Sequence, residues 1–314
     1  MTPLTRFVLA TVAYYDALDY ALTGYEVWRF LSYDDISVPE QYRRAYTLAE
    51  VDAVLQQLCN DQMLVCTQGR YTLPQRTQLV ALRRRRMRES IAPLRSMQRY
   101  TRMFRYVPFV RAIYATGRLA ARHGTRRSDW DVLVVLRDGG IWTGRVLVTI
   151  MTVLLGRRKT DRRHAQRFCL NYFITTASLR ITLDDRFSAQ EYMMARPLYS
   201  SINPRRFLDA NKWINAFRPH YDLLVPSAKW LCQDTAVAYR IRKAGEWLCD
   251  VLNTEQILRR LQRAKILRNP KTFLRGAMII TNDRELVFLP NPHAPRVLEK
   301  YHRRCRALGL RQCA

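Results

Sequence analysis

Apolar residues along this chain recur at a period that changes several times, and the changes mark out its elements. Between residues 6 and 31, Phe7, Leu9, Val12 and Ala13 fall at helical spacing, and Leu18 and Leu22 lead into Thr23-Gly-Tyr-Glu26. A Thr with a Glu three residues later is a capping box, in which each side chain satisfies a backbone N–H of the other residue. The segment predicts two helices, the second running from Tyr25 with Val27, Phe30 and Leu31 on one side. A polar loop with Pro39 follows, and Thr47-Leu-Ala-Glu50 repeats the box. It opens a helix over 48–60 with Val51, Val54, Leu55 and Leu58 inward. Met63-Leu-Val-Cys66, a Gln68-Gly69 turn and Arg70-Tyr-Thr-Leu73 read as a short hairpin.

Helices followed by a hairpin are the order of a winged helix-turn-helix domain, expected over residues 1–75. Residues 76–105, with Arg83-Arg-Arg-Arg86, predict a basic connecting helix. Phe109-Val-Arg-Ala-Ile-Tyr-Ala115 reads as a strand that stops at Thr116-Gly117, with a short helix from Leu119 to His123 behind it. The run 129–136 is a second strand, and a Gly-Gly turn leads to an apolar helix from Thr143 to Leu155. Residues 167–174 and 178–183 predict two more strands. Strands alternating with helices imply a mixed α/β sheet, here a core over 106–188. From 189 to 314 the pattern is mainly helical, broken at Pro197, Pro204, Pro219 and Pro226. Its longest helix runs from Ser227 to Leu252. A late hairpin pairs 277–280 with 285–288, and a basic helix spans Ala294 to Leu308. The expected class is α+β multidomain: winged helix, small mixed-sheet α/β core, mainly helical C-terminal region.

The densest chemistry lies in Ser128-Asp-Trp-Asp-Val-Leu-Val-Val-Leu136. Residues i and i+2 of a strand share a face, so Asp129 and Asp131 present their oxygens together while Trp130 and Val132 turn away. Such a pair suits Mg²⁺, which combines one or two carboxylates with substrate phosphates. Gly117 ends the preceding strand at a strand-to-helix turn, where exposed backbone N–H groups favour an anion.

The charge sharpens this reading. Lys and Arg number 53 against 26 Asp and Glu, a formal net charge of +27, which favours polyanionic partners. No lysine precedes Lys159, so most of that charge is arginine, the residue suited to bidentate phosphate contacts. The bases concentrate in 83–105, 157–167 and 296–311, and Arg126 and Arg127 stand just before the acidic strand. The helix over 48–60 carries Glu50 and Asp52, with Asp61 just beyond it, and little base. A protein-contact or packing role for the wing stands beside DNA binding. Cys59, Cys66, Cys169, Cys232, Cys249, Cys305 and Cys313 form neither a zinc spacing nor an even disulfide set. With Asp16 and Asp19 near the start, no cleavage signature, and no apolar run longer than Val146 to Leu155, the chain is expected to be soluble and cytoplasmic. His123 and His164 are expected at the surface, and Trp213 and Trp230 in packing.

Residues 107–120 followed by Ser128-Asp-Trp-Asp131 resemble the nucleotidyltransferase superfamily of the DNA polymerase β type, whose signature is strand, Gly-Ser, short helix, then Asp-x-Asp on the next strand. With Cys169-Leu-Asn-Tyr-Phe173 and Asn211-Lys-Trp213 downstream, the chain also looks like bacterial proteins joining a winged helix to such a domain. The resemblance implies Asp129 and Asp131 as catalytic metal ligands for Mg²⁺ or Mn²⁺. It implies Gly117, Arg118 and Ser128 as contacts to a nucleoside triphosphate substrate. Two departures stand out. Arg118 replaces the family's Ser after Gly, where it would either bind a γ-phosphate or block the pocket. The strand that should carry a third carboxylate has Cys169 and Asn171 instead, with Asp184, Asp185 or Asp161 as substitutes. The expected activity is Mg²⁺-dependent transfer of a nucleoside monophosphate from NTP to an acceptor. The alternative is a catalytically degenerate core acting as a nucleic-acid-binding or regulatory winged-helix protein, with RNA or DNA on its basic surfaces. A membrane is not an expected partner. Peripheral attachment through the basic, Trp-bearing C-terminal helices is a third alternative.

Overall fold

A computed structural model describes residues 1–33, 38–160, 162–225 and 231–311, so Asp161, Trp230 and Cys313 lie outside the described residues. The N-terminal unit comprises α1 (Pro3–Ala17), β1 (Leu22–Thr23), α2 (Gly24–Arg29), α3 (Leu48–Asn60), β2 (Val65–Thr67) and β3 (Arg70–Thr72). Both capping boxes form. Glu26 N–H donates to Thr23 Oγ1 at 3.2 Å and Thr23 N–H to Glu26 at 2.9 Å. Thr47 and Glu50 repeat the exchange at 2.7 and 3.2 Å. β3 lies between β1 and β2 in a small antiparallel sheet.

The basic connection is two helices rather than one: α4 (Gln78–Glu89) and α5 (Ile91–Thr101). Pro93 explains the break. It has no N–H to continue a helix from α4, but in the first turn of α5 none is needed. Ser90 holds the junction, donating to the carbonyls of Arg86 at 2.7 Å and Gly124 at 3.2 Å. The arginine run does not form one solvated face either. Arg83 is buried against Tyr20, Glu26 and the Arg122 carbonyl, while Arg84 and Arg85 are exposed.

Next come β4 (Val110–Ala115), α6 (Gly117–Ala120), β5 (Trp130–Leu136), α7 (Ile141–Leu154), β6 (Phe168–Thr175), α8 (Arg186–Met193) and β7 (Arg196–Ser200). They are followed by α9 (Arg205–Ala210), α10 (Ala236–Val251), α11 (Thr254–Leu267), β8 (Met278–Thr281), β9 (Glu285–Leu289) and α12 (Ala294–Ala307). Six strands form one mixed sheet in the order β7-β4-β5-β6-β9-β8. β5 and β6 run parallel, joined by the crossover through α7, and the other neighbours are antiparallel.

Further expectations need correction. Residues 178–183 form no strand. Leu179 and Ile181 are buried, but the Asn211 side chain satisfies their backbone, accepting from Ile181 N–H at 2.8 Å and donating to the Leu179 carbonyl at 2.9 Å. β9 takes the place beside β6 instead. Arg196–Ser200, in the stretch expected to be mainly helical and broken at Pro197, is a strand at the sheet edge, where Pro197, with no N–H to donate, is tolerated. The helix expected from Ser227 begins at Ala236, capped by Thr235, whose Oγ1 accepts from Ala238 N–H at 3.2 Å. β7, β8 and β9 all follow residue 188, so the sheet continues through the boundary expected there.

The two faces of β5 enter different cores. Trp130, Val132, Val134 and Leu136 pack with Leu94, Met97, Ile141 and Val148. Leu133 and Val135 face the other way, into a core shared with α1, α8 and α12. Asp131 has the parity of Leu133, so it opens onto that second side at the strand's N-terminal end.

Candidate functional site

β5 begins with Trp130, whose indole is fully buried against Tyr100 and Phe168. This anchors the strand end and fixes its flanking acids. One ligand atom each from Asp129, Asp131 and Cys169 lie within 4.8 Å of one another. Cys169 pairs with Asp131 in the parallel β5–β6 register, so of the two residues considered for the third-ligand position it is Cys169, not Asn171, that joins the acids. Its thiol hydrogen-bonds Asp131.

Gly117 adopts φ +65°, and a Cβ there would lie 2.6 Å from Asp131 Oδ2. The glycine therefore accommodates the acid as well as the turn. Thr116 N–H donates to the Asp131 carbonyl at 3.0 Å, stitching the two strand ends together.

Three further side chains reach this cluster. Lys159 pairs with Asp129, and its Nζ is 3.4 Å from Cys169 Sγ. Glu191, on α8, hydrogen-bonds Thr116 and accepts the N–H of Gly117. His293, at the start of α12, feels the charges of Arg118, Asp129 and Lys159. The sequence reading missed all three. Lys159 had one visible signal, being the first lysine of the chain. Glu191 had a weaker one, an acid among Ala189, Tyr192 and Met193.

The electrostatics follow from crowding like charges in a dry place. Burial, then the charge of Asp129, pushes the Asp131 carboxyl up to about 6. Burial, then the charge of Asp131, pushes Glu191 up to about 7. Burial and Asp131 drive the Cys169 thiol up to about 12. Burial opposes the Lys159 ammonium, but Asp129 and Cys169 outweigh it and hold it above its ordinary value.

The remaining expected residues lie elsewhere or differently. Arg118 is exposed and does not fill the cluster. Ser128 turns its hydroxyl into the preceding turn, where Thr125 N–H donates to it at 2.9 Å. Asp184 is exposed and paired with Arg180 at 3.1 Å, and Asp185 caps α8 by accepting from Ser188 N–H at 2.8 Å. Neither replaces the absent acid. His164 is exposed as expected. His123 is not a surface group: its ring packs on Tyr20, its Nδ1 is buried, and burial with nearby Arg83, Arg86 and Arg118 pulls it down to about 4. Trp213 packs, donating its indole N–H to Asn211 at 3.0 Å. Among the described residues the cysteines are free thiols. No described helix is long and apolar enough to cross a membrane.

No protein-family model, curated protein or solved structure matches the chain.

Proposed function

We propose that this chain binds a nucleoside triphosphate with a divalent cation at Asp129 and Asp131 and transfers the nucleoside monophosphate to a hydroxyl acceptor. The observation that carries the reading is the convergence of two carboxylates and a thiol against a glycine with no room for a Cβ. The donor set fits a cation: two carboxylates and a thiol offer ligand atoms within 4.8 Å of one another, with Asp129 paired to Lys159. Asp129 and Asp131 would be the ligands, with Cys169 in reach. Mg²⁺ or Mn²⁺ held there would neutralise triphosphate charge and make the attacking hydroxyl more acidic.

The chain's own groups account for the rest. Arg118, exposed beside the cluster, meets the outer phosphate oxygens. Lys159 balances Asp129 until a cation does, and then becomes a phosphate contact. Glu191, which feels the charge of Asp131 and whose carboxyl is raised by burial, takes the acceptor proton. The acceptor oxygen then bonds to the α-phosphorus, and the bond to pyrophosphate breaks.

The N-terminal unit has the order of a winged helix. α3 buries Val51, Leu55 and Leu58 and carries no base, so its outer face suits a protein contact better than a DNA groove.

A second reading is a degenerate core that binds without transferring. Cys169 in place of an acid and the Lys159–Asp129 pair favour it. Titration calorimetry with Mn²⁺ and ATP, alongside label transfer from each NTP to cellular RNA or lysate, separates the two. Transfer that vanishes in Asp129→Asn and Asp131→Asn supports the enzyme. Cation-dependent NTP binding without transfer supports the second reading, and no such binding removes both.

A further inference from the structure

We infer that a pocket between Arg127 and the loop 162–167, at the entrance of β5, seats single-stranded nucleic acid. On the reading above, which this step deepens, that strand supplies the acceptor hydroxyl. The pocket, about 450 Å³ and open, is lined by Arg127, Arg162, Arg163, His164, Ala165 and Arg167. Four guanidiniums share one concavity with no acid among the lining residues. Such crowding costs energy unless an anion answers it. Arg127, Arg162 and Arg163 are exposed and have no ion-pair partner among the described residues.

The pocket is fixed to the acidic strand. Trp130 N–H donates to the Arg167 carbonyl at 2.8 Å, and Gln166 N–H to the Ser128 carbonyl at 2.9 Å. Gln166 Nε2 also donates to the Arg126 carbonyl at 3.3 Å. The loop that carries these arginines is thus tied by backbone hydrogen bonds to Ser128 and Trp130, the residues that flank Asp129.

The basic surface extends further than one phosphate needs. Arg157 donates to the Tyr100 hydroxyl at 2.8 Å and lies over its ring, joining this segment to α5. There Arg95 and Arg99, and Arg102 just beyond its end, are exposed at spacings of four and three. A chain of phosphates matches that succession of guanidiniums. A bilayer does not, because the pocket's sole apolar side chain is Ala165 and nothing there can insert.

Fluorescence anisotropy of the full chain at 150 mM salt tests this, with labelled 12-mer RNA and DNA strands of the same sequence. Arg162→Glu with Arg163→Glu is compared with Arg303→Glu with Arg306→Glu on α12, an equal change of charge on another exposed face. The pocket pair should weaken binding at least tenfold and reduce the salt slope by about 1.4, as for two lost phosphate contacts. The α12 pair should weaken it less than threefold. Arg127→Ala, a milder change, should follow the pocket pair. Equal loss in both pairs would mean diffuse attraction and would overturn the inference. So would absence of binding, or sedimentation with anionic vesicles that the pocket pair alone abolishes. The RNA and DNA arms identify the strand. Asp129→Asn should leave strand binding intact while removing cation-dependent NTP binding. If NTP binding never occurs but the pocket pair still loses the strand, the transfer reading fails and the pocket stands.

Discussion

At the residue scale, Gly117 is more constrained than a turn requires. Its positive φ and the 2.6 Å approach of Asp131 Oδ2 to any Cβ act together. Gly117→Ala is expected to cost at least about 1 kcal/mol in urea unfolding. In the same variant, cation-dependent NTP binding measured by calorimetry should disappear, because Asp131 must move. His123 makes a pH prediction. Its folded value near 4 lies below the ordinary value of about 6.5, so as pH falls the unfolded chain takes up the proton first. Its contribution to stability is complete above about pH 6.5. It falls towards pH 4 at up to about 1.4 kcal/mol per pH unit and is level below that. His123→Phe should remove this slope from the difference between the two stability–pH curves. Asp129, Asp131 and Gly117 were legible because they are near in sequence and obey strand parity. The depressed His123 was not, since it depends on Tyr20 and Arg83 from another part of the chain.

At the element scale, local signals were read well where they were self-contained. The capping boxes at Thr23 and Thr47 form, and β4, β5 and β6 lie where the β-branched and aromatic runs predict. The segment 178–183 alternates like a strand, yet a single amide replaces its neighbour. Asn211 is buried and also donates to the Phe207 carbonyl at 2.8 Å. Asn211→Ala leaves the Ile181 N–H, the Trp213 indole N–H and two carbonyls without that partner. At about 1–3 kcal/mol for each buried group left unsatisfied, a loss of roughly 3 kcal/mol is expected in urea unfolding. A fall below about 1 kcal/mol would show that the segment holds itself. β7 went unread for the opposite reason: Pro197 argues against a strand, except at an edge, and edges exist only once a sheet is assembled.

At the scale of the whole molecule, the first and last described helices pack together. α1 is buried almost all round, so α2 and α3 cannot cover it alone. α12 completes the cover, with Tyr301 edge-on to Tyr14 at 5.2 Å and Arg304 paired with the buried Asp16. Arg76 pairs with the same carboxylate at 3.1 Å from the connection. Tyr301→Ala is expected to cost about 3–5 kcal/mol, as for other large buried aromatics. The loss should appear in both an N-terminal probe, Trp28 fluorescence, and far-UV circular dichroism of the whole chain. His293, the residue just before this helix, feels the charges of Arg118 and Asp129, so the segment that covers α1 is also electrostatically linked to the acidic cluster.

What lay within a few residues was written in the sequence: the caps, the core strands, the paired acids with their glycine, and the excess of arginine. Period and capping act through neighbours on the chain, so they need no fold to be seen. Folding decided which side chains from distant elements complete the cluster. Cys169 arrives through strand register, Lys159 through a loop, Glu191 through α8 and His293 through α12. Their charges act on one another only after folding has brought distant segments together, a proximity that contour length along the chain does not encode.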